Sequence, residues 1–386
     1  MSNVPKLRFK EFSGEWEENN LKKLSELITK GTTPKKFSNS GITFVKIEGI
    51  NNLSINKDKC LFIDENTHNK ELKRSILKEQ DILFAIAGSL GKVAVVTKNI
   101  LPANTNQALS IIRLKNKDYL NYILFVLQSR RMKKYIYKNL SVGAQPNLSL
   151  EQIGNFNFFL PLKQEQEKIA SFLTSVDTRI KQLTKKEELL QQYKKSIMQK
   201  IFNQEIRFRA DDESEFCEWE EKKLGDILDY IQPTKYLVKD TEYNDSYIIP
   251  VLTAGKTFIL GYTNETDGVF ENNLPVIIFD DFTTANKFVN FPFKAKSSAM
   301  KILVSKNNNN IKFIYEAMQM IKYEVGGHER HWISKFSFLN IFIPCIEEQT
   351  KIANFLSSID SKIEKVKKQL NSTKEFKKAL LQQMFV

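Results

Sequence analysis

Residues 161–202 and 344–385 align without a gap at a constant offset of 183, with 16 of 42 positions identical. The matches include Pro161/Pro344, Gln166/Gln349, Lys168/Lys351, Ile169/Ile352, Phe172/Phe355, Asp177/Asp360 and Phe202/Phe385. Two lysine-rich segments that agreed by chance would not keep register over this length, so the chain is built from two copies of one plan. The period is too long, and the copies too few, for a solenoid. Within each copy, apolar residues recur at alternating three- and four-residue steps, the a/d pattern of a helix that packs along a seam. The first seam is Leu173, Val176, Ile180, Leu183, Glu187, Leu190, Lys194, Ile197, Ile201. The second is Leu356, Ile359, Ile363, Val366, Leu370, Thr373, Lys377, Leu380, Met384. Pro161 and Pro344 open the segments, each of which spans roughly 60 Å as a helix. A lone helix of this kind needs a partner for its seam. The nearest partner is its own duplicate, and homodimerisation is the alternative.

The similarity reaches outward from the helices. Phe156, Phe158 and Leu160 alternate before the first Pro, and Leu339, Ile341 and Ile343 before the second. Leu7-Arg8-Phe9 and Trp16-Glu17-Glu18 answer to Ile206-Arg207-Phe208 and Trp219-Glu220-Glu221. The plan is therefore a globular block at 1–160, a helix at 161–203, a second block at 204–343 and a second helix at 344–386. Antiparallel pairing of the helices would give pseudo-two-fold symmetry, with the blocks at opposite ends of a rod and the chain termini close together. Both blocks read as mixed α/β (α+β). Strands are expected at Thr43–Ile47, Asp81–Ala87, Val93–Thr97, Leu109–Leu114, Tyr247–Leu252, Pro275–Phe279 and Met300–Val304. Helices are expected at Tyr119–Tyr137 and Ile311–Ile321. The interiors of the blocks show little identity, as expected of one scaffold carrying two different inserts.

The formal net charge of +13 is unevenly placed. The first block carries 25 basic against 14 acidic residues, whereas 204–343 carries 16 against 21, ten of those acids between Glu205 and Asp229. A basic first half suits phosphate binding; solubility alone is the bland alternative. Its polar turns supply candidate DNA contacts. Gly88-Ser89-Leu90-Gly91-Lys92 joins two strands, with Ser89 and Lys92 at its tip. Asn104, Asn106 and Gln107 precede a strand, and Gln145 and Asn147 follow Gly143. Asn and Gln pair bidentately with adenine in a major groove. Lys35, Lys36, Arg130 and Arg131 are candidate phosphate contacts. The second block offers Thr283 and Lys287 after a strand, then His328, Arg330 and His331 in a glycine-containing loop, with Trp332 packing beneath it. Asp280 and Asp281 either accept from cytosine or are solvated. The acidic 205–229 stretch is expected to face away from a duplex or toward a partner.

Catalytic patterns are missing. Pro250 stands where a phosphate loop ending in Gly255-Lys256-Thr257 needs glycine, and no GxGxxG loop occurs. His328-Glu329-Arg330-His331 has the wrong spacing for HExxH zinc chemistry, and the Asn-Pro-Pro-aromatic run of an amino-methyltransferase is absent. The three cysteines, Cys60, Cys217 and Cys345, are widely spaced and odd in number, which offers neither a disulfide framework nor a CxxC site. No metal site, membrane span or signal peptide is expected, and the chain reads as cytoplasmic.

The Pro-x-x-x-E-Q-x-K-I-A-x-F-L-x-S-x-D segments at Pro161–Asp177 and Pro344–Asp360 carry a family resemblance. Trp16-Glu17, Trp219-Glu220, Gly88–Val93 with Asn106-Gln107-Ala108, and Gly143–Ser149 support it. Over its whole length the chain resembles the specificity subunit of a type I restriction–modification enzyme. The resemblance implies that 1–160 and 204–343 are target recognition domains, each reading one half of a split double-stranded DNA target. It implies that the helices at 161–203 and 344–386 form an antiparallel spacer that fixes the gap. It further implies partners: two methyltransferase subunits, and restriction and translocase subunits that join through them. S-adenosylmethionine, ATP and Mg would belong to those partners, with no cofactor and no catalytic residue in this chain. Two other readings compete: a helical scaffold that bridges proteins without reading DNA, and a metal-dependent nuclease built on Asp280 and Asp281.

Overall fold

The computed structural model describes residues 3–140, 146–255, 257–323 and 330–386. The chain divides into two compact units, one formed by Met1–Thr184 with Lys368–Val386 and the other by Lys185–Lys367. Each unit thus holds one globular block and one stretch of each long helix. Those helices run over Lys163–Phe202 and Ile346–Gln383, each beginning two residues after its proline rather than at it.

The first unit has a four-stranded antiparallel sheet in the spatial order Ser25–Lys30, Leu109–Leu114, Ile82–Ala85, Val93–Val95. Beside it lies a three-stranded sheet of Leu61–Ile63, Ile42–Val45 and Ala103–Thr105, the last two parallel. Glu17–Asn20 pairs with Asn157–Leu160 just before the long helix. The second unit repeats this plan. Its four-stranded sheet is Leu228–Ile231, Met300–Ser305, Val276–Asp280, Asn286–Val289, and its three-stranded sheet is Ile259–Thr263, Ile249–Leu252 and Lys294–Ala295, again ending in a parallel pair. Glu220–Lys223 pairs with Asn340–Ile343. Block interiors that share little sequence therefore share a topology, which the sequence reading had confined to their edges.

Two-residue periodicity explains how one sheet serves two cores. In the second unit, Ile277, Phe279 and Leu303 join the core that contains the helical segments, whereas Val276, Ile278, Met300 and Ile302 join the core with the three-stranded sheet. Each such buried side chain contributes about 1.5–3 kcal/mol of apolar transfer. The helix expected over Tyr119–Tyr137 is two helices, Leu120–Val126 and Arg130–Asn139. Ser129 breaks it, with an extended backbone and a side chain that caps the amide of Met132.

Within each unit the helical stretches run antiparallel. In the first, Lys377 pairs with Asp177 at 2.7 Å, while adjacent residues Leu7 and Arg8 bond Gln383 (2.9 Å) and Glu165 (2.7 Å). Rising numbers on one helix thus meet falling numbers on the other. The second unit repeats the construction: Lys194 pairs with Asp360 at 2.7 Å, and Ile206 and Arg207 bond Lys200 (3.2 Å) and Glu348 (2.9 Å). Seam residues Leu173, Val176, Ile180, Leu183, Ile201, Leu356, Ile359, Val366, Leu370, Leu380 and Met384 are buried, and Leu190, Ile197 and Ile363 half-buried. The polar seam positions Lys194 and Lys377 are the ion-paired ones.

Candidate nucleic-acid interface

In the first unit three segments far apart in sequence meet around one open cavity of about 870 Å³. The turn after Ile82–Ala85 contributes Ala87 and Gly88, the loop after Ala103–Thr105 contributes Asn106 and Gln107, and the segment before the long helix contributes Asn147. The tight turn requires left-handed backbone at Gly88 (φ 68°) and Gly91 (φ 78°), which glycine adopts without strain. Ser89 and Lys92 stand exposed on it. An isolated bridge between Ala87 and Asn147 ties the first and third segments together. Gly31 holds the second: a Cβ there would lie 2.0 Å from the Thr105 carbonyl oxygen. The carboxamide of Gln107 accepts from the Thr33 hydroxyl, and Asn106 Oδ1 is buried without a hydrogen-bond partner among the described residues. Lys30 adds positive charge at the cavity and Glu48 negative.

Not every expected contact residue stands at a surface. Asn104 is fully buried; its amide donates to the Leu72 carbonyl at 3.0 Å and its oxygen meets His68 Nδ1. It braces the interior and does not face solvent. Arg131 donates to the carbonyls of Asn157 (2.8 Å) and Val386 (3.2 Å) and lies over the Phe159 ring, an environment whose burial pushes its pKa down. It locks the first unit together, whereas its neighbour Arg130 is exposed, as are Lys35 and Lys36. Gln145 and His328 lie outside the described residues.

In the second unit the turn from Asp281 to Ala285 occupies the place of the Gly88–Lys92 turn, between the corresponding strands. Thr283 and Lys287 are exposed there, and Arg330 nearby in sequence is exposed too. The two aspartates are neither solvated nor aimed outward. Asp280 Oδ1 accepts the amides of Phe282 (2.8 Å) and Thr283 (3.1 Å). Asp281 is buried, accepts the Trp332 amide at 3.0 Å and pairs with buried Lys301 at 3.6 Å. Both carboxylates shape the turn, and among the described residues no cluster suits a metal ion. His331 is likewise buried, its amide bonded to the Asp281 carbonyl and its ring to the Tyr323 hydroxyl, so it faces the interior and not solvent. Trp332 packs edge-on against Phe279.

Sequence reasoning passed over the loop after Lys294–Ala295. By topology it is the counterpart of Asn106–Gln107, and it presents Ser297 and Ser298 exposed beside half-buried Lys296. The order of strands reveals the equivalence, because apart from the alanine that closes each, Ala108 and Ala299, the two loops share no residues. The acidic 205–229 stretch also finds its place. Arg207 bonds Glu348 and the Cys217 carbonyl, Phe208 packs on Phe355, and Lys351 reaches Asp211, so the segment straps onto the start of the second long helix.

Comparison with known proteins agrees with this architecture. The family model described as type I restriction modification DNA specificity domain matches residues 13–191 and 217–374. The EcoR124I/EcoR124II specificity subunit of Escherichia coli is 55% identical over 141 residues, a match spanning 35% of this chain and 35% of that relative, about a third of each. The putative MjaX specificity subunit of Methanocaldococcus jannaschii is 26% identical over 98% of this chain and 95% of its own length. In fold, the chain is similar to the crystal structure of a type I restriction–modification S subunit from M. genitalium, with a TM-score of 0.67 at 16% identity over 99% of both chains. Among the described residues no helix is long and apolar enough to cross a membrane. With its two copies of the matched domain, the chain belongs to the type I restriction modification DNA specificity family.

Proposed function

We propose that this chain is the non-catalytic DNA-reading subunit of a type I restriction–modification complex in the cytoplasm. The block at 1–160 takes one half of a split target and the block at 204–343 the other. The helices at 161–203 and 344–386 fix the number of base pairs between the halves and carry two methyltransferase subunits, through which restriction and translocase subunits join. S-adenosylmethionine, ATP and Mg serve those partners. One observation carries this reading: a single sheet plan is built twice, and the loops at equivalent places on it differ in chemistry. Asn106, Gln107 and Asn147 gather at one, whereas Lys296, Ser297 and Ser298 occupy the matching turn of the other. Carboxamides suit adenine edges, and lysine suits guanine or phosphate.

The test is to map methylated adenines genome-wide in cells that carry this chain with its methyltransferase. A two-part motif with a constant gap is the expected result. Duplexes bearing the motif and scrambled versions of it, titrated with salt in the presence of the methyltransferase, complete the test. Equal affinity for both at every salt concentration would leave a helical scaffold as the better description.

A further inference from the structure

Cys217 and Cys345 are remote in sequence and adjacent in the second unit. Cys217 is exposed and Cys345 half-buried. Cys217 ends the strap: its carbonyl accepts from Arg207 at 2.6 Å, and the same guanidinium nitrogen bonds Glu348 at 2.9 Å. Cys345 lies three residues before Glu348, and its carbonyl opens the helix by accepting the Gln349 amide at 3.0 Å. One cation therefore fastens both cysteine-bearing segments, which brings the Cys217 thiol near enough to Cys345 to help push its pKa up.

The duplicated plan supplies an internal control. In the first unit Arg8 makes the same pair of contacts, to Glu165 and to the Gly14 carbonyl at 2.6 Å. Gly14 stands at the place of Cys217, and Leu162 at the place of Cys345. The backbone arrangement is thus part of the scaffold, whereas the two thiols belong to the second unit alone.

We propose that Cys217 and Cys345 form a reversible oxidation site for hydroperoxides, closing a disulfide that ties the strap to the second long helix. The reaction is a two-electron oxidation. The exposed Cys217 sulfur, once deprotonated, attacks the terminal peroxide oxygen. The O–O bond breaks, an alcohol (water, from hydrogen peroxide) leaves with a proton, and Cys217 becomes a sulfenic acid. The Cys345 sulfur then attacks the sulfenic sulfur. The S–S bond forms, the S–O bond breaks, and hydroxide leaves as water with the Cys345 proton. Burial and the neighbouring thiol push the Cys345 pKa up, which suits the resolving role rather than the attacking one. A cellular thiol reverses the step by exchange. The inference stands apart from the DNA-reading role.

The experiment uses the full chain, oxidised with hydrogen peroxide and mapped by peptide mass spectrometry without reduction. Wild type is expected to lose two of its three thiols together and to yield a linked Cys217–Cys345 peptide pair, while Cys60 stays reduced. Cys345→Ser should stop at a sulfenic acid on Cys217 that dimedone traps, and Cys217→Ser should form no link. Neither substitution disturbs a core, and matching circular dichroism verifies folding. Independent loss of the two thiols in wild type, or links only between separate chains, would overturn the proposal.

Discussion

Glu316, Lys312, Lys194 and Asp360 close a ring of four ion pairs in the second unit. Glu316 Oε1 accepts from Lys194 (3.0 Å) and Lys312 (2.6 Å), and Asp360 accepts from the same two lysines (2.7 and 2.8 Å). The Glu316 side chain is 1% exposed and that of Asp360 38%. Removing one partner of a buried pair costs roughly 3–5 kcal/mol, because the other charge is left uncompensated. In Glu316→Gln the half-exposed Asp360 still faces both lysines, and solvent screens what remains, so the loss should fall to about 2–3 kcal/mol. The first unit shows a different solution at the equivalent place. There Lys377 pairs with Asp177 and lies over the ring of Phe125, with Asn121 where the second unit has Lys312. Transplanting it, as Lys312→Asn with Glu316→Phe, removes two opposite charges together and should cost less than Glu316→Gln alone. Urea unfolding followed by tryptophan fluorescence reads the second unit preferentially, since Trp219 and Trp332 both report on it. A Glu316→Gln loss below about 0.5 kcal/mol, within the scatter of surface substitutions, or a double variant less stable than the single one, would refute the ring as a keystone.

The same ring sets a pH dependence. Burial alone would raise the Asp360 pKa, but the hydrogen bonds and charges of Lys194 and Lys312 hold it below the usual carboxylate range. Its contribution is therefore present above the unfolded value of about 3.9 and lost as pH falls through the folded one; Asp360→Asn should flatten the acid limb of an unfolding-midpoint profile. Gly31→Ala drives a Cβ into the Thr105 carbonyl and should cost about 3 kcal/mol, the upper end of overpacking, measurable by calorimetry. Lys92→Ala, at an exposed turn, should leave thermal stability unchanged and reduce the salt slope of DNA binding by about 1. Asn147→Ala should relax one base position by about 1–3 kcal/mol in competition binding. Four residues inserted near Glu187–Leu190 add roughly 6 Å of helix; adenine mapping should then show a longer gap between unchanged half-sites, and an unchanged gap would remove the helix as the ruler.

The repeat and its seam were legible because helical packing imposes a period that survives substitution: a buried a/d position accepts Val, Ile, Leu or Met as long as it stays apolar. The shared topology of the blocks was not legible, for the same tolerance erases identity where no period longer than two is imposed. Ile82–Ala85 and Ile277–Asp280 hold the same place in their sheets, yet the two identities between them, Ile82/Ile277 and Phe84/Phe279, are too few to stand out in a sequence. The candidate surface was legible in part. Asn104 and Asn106 look alike in sequence, yet the strand ends at Thr105, so Asn104 stays inside and Asn106 reaches the cavity wall. Asp281 resembled a solvated turn acid because its partner Lys301 comes twenty positions later across a strand pair. The meeting of Cys217 with Cys345 depends on a strap held by Arg207, a tertiary contact that spacing does not record.

The identical positions of the repeat acquire a common physical reason once their partners are known. Glu165 and Glu348 receive Arg8 and Arg207; Gln166 and Gln349 donate to the carbonyls of Pro161 and Pro344 at 2.8 and 2.9 Å. Phe172 and Phe355 stack edge-on with Phe9 and Phe208. Asp177 and Asp360 hold Lys377 and Lys194, and Phe385 and Phe202 pack on Tyr122 and Phe313. Apart from the two glutamines, which bond the carbonyls of their own prolines, each of these residues joins a long-helix segment to a block or to the other helix, so a change there leaves an uncompensated charge or an unfilled space. The loops at Gly88–Lys92, Asn106–Gln107 and Lys296–Ser298 carry no such duty toward the helices; they hang from strand ends. Divergence can therefore proceed there at little cost to the fold, and a scaffold of this kind separates the residues that keep it standing from those that choose what it touches.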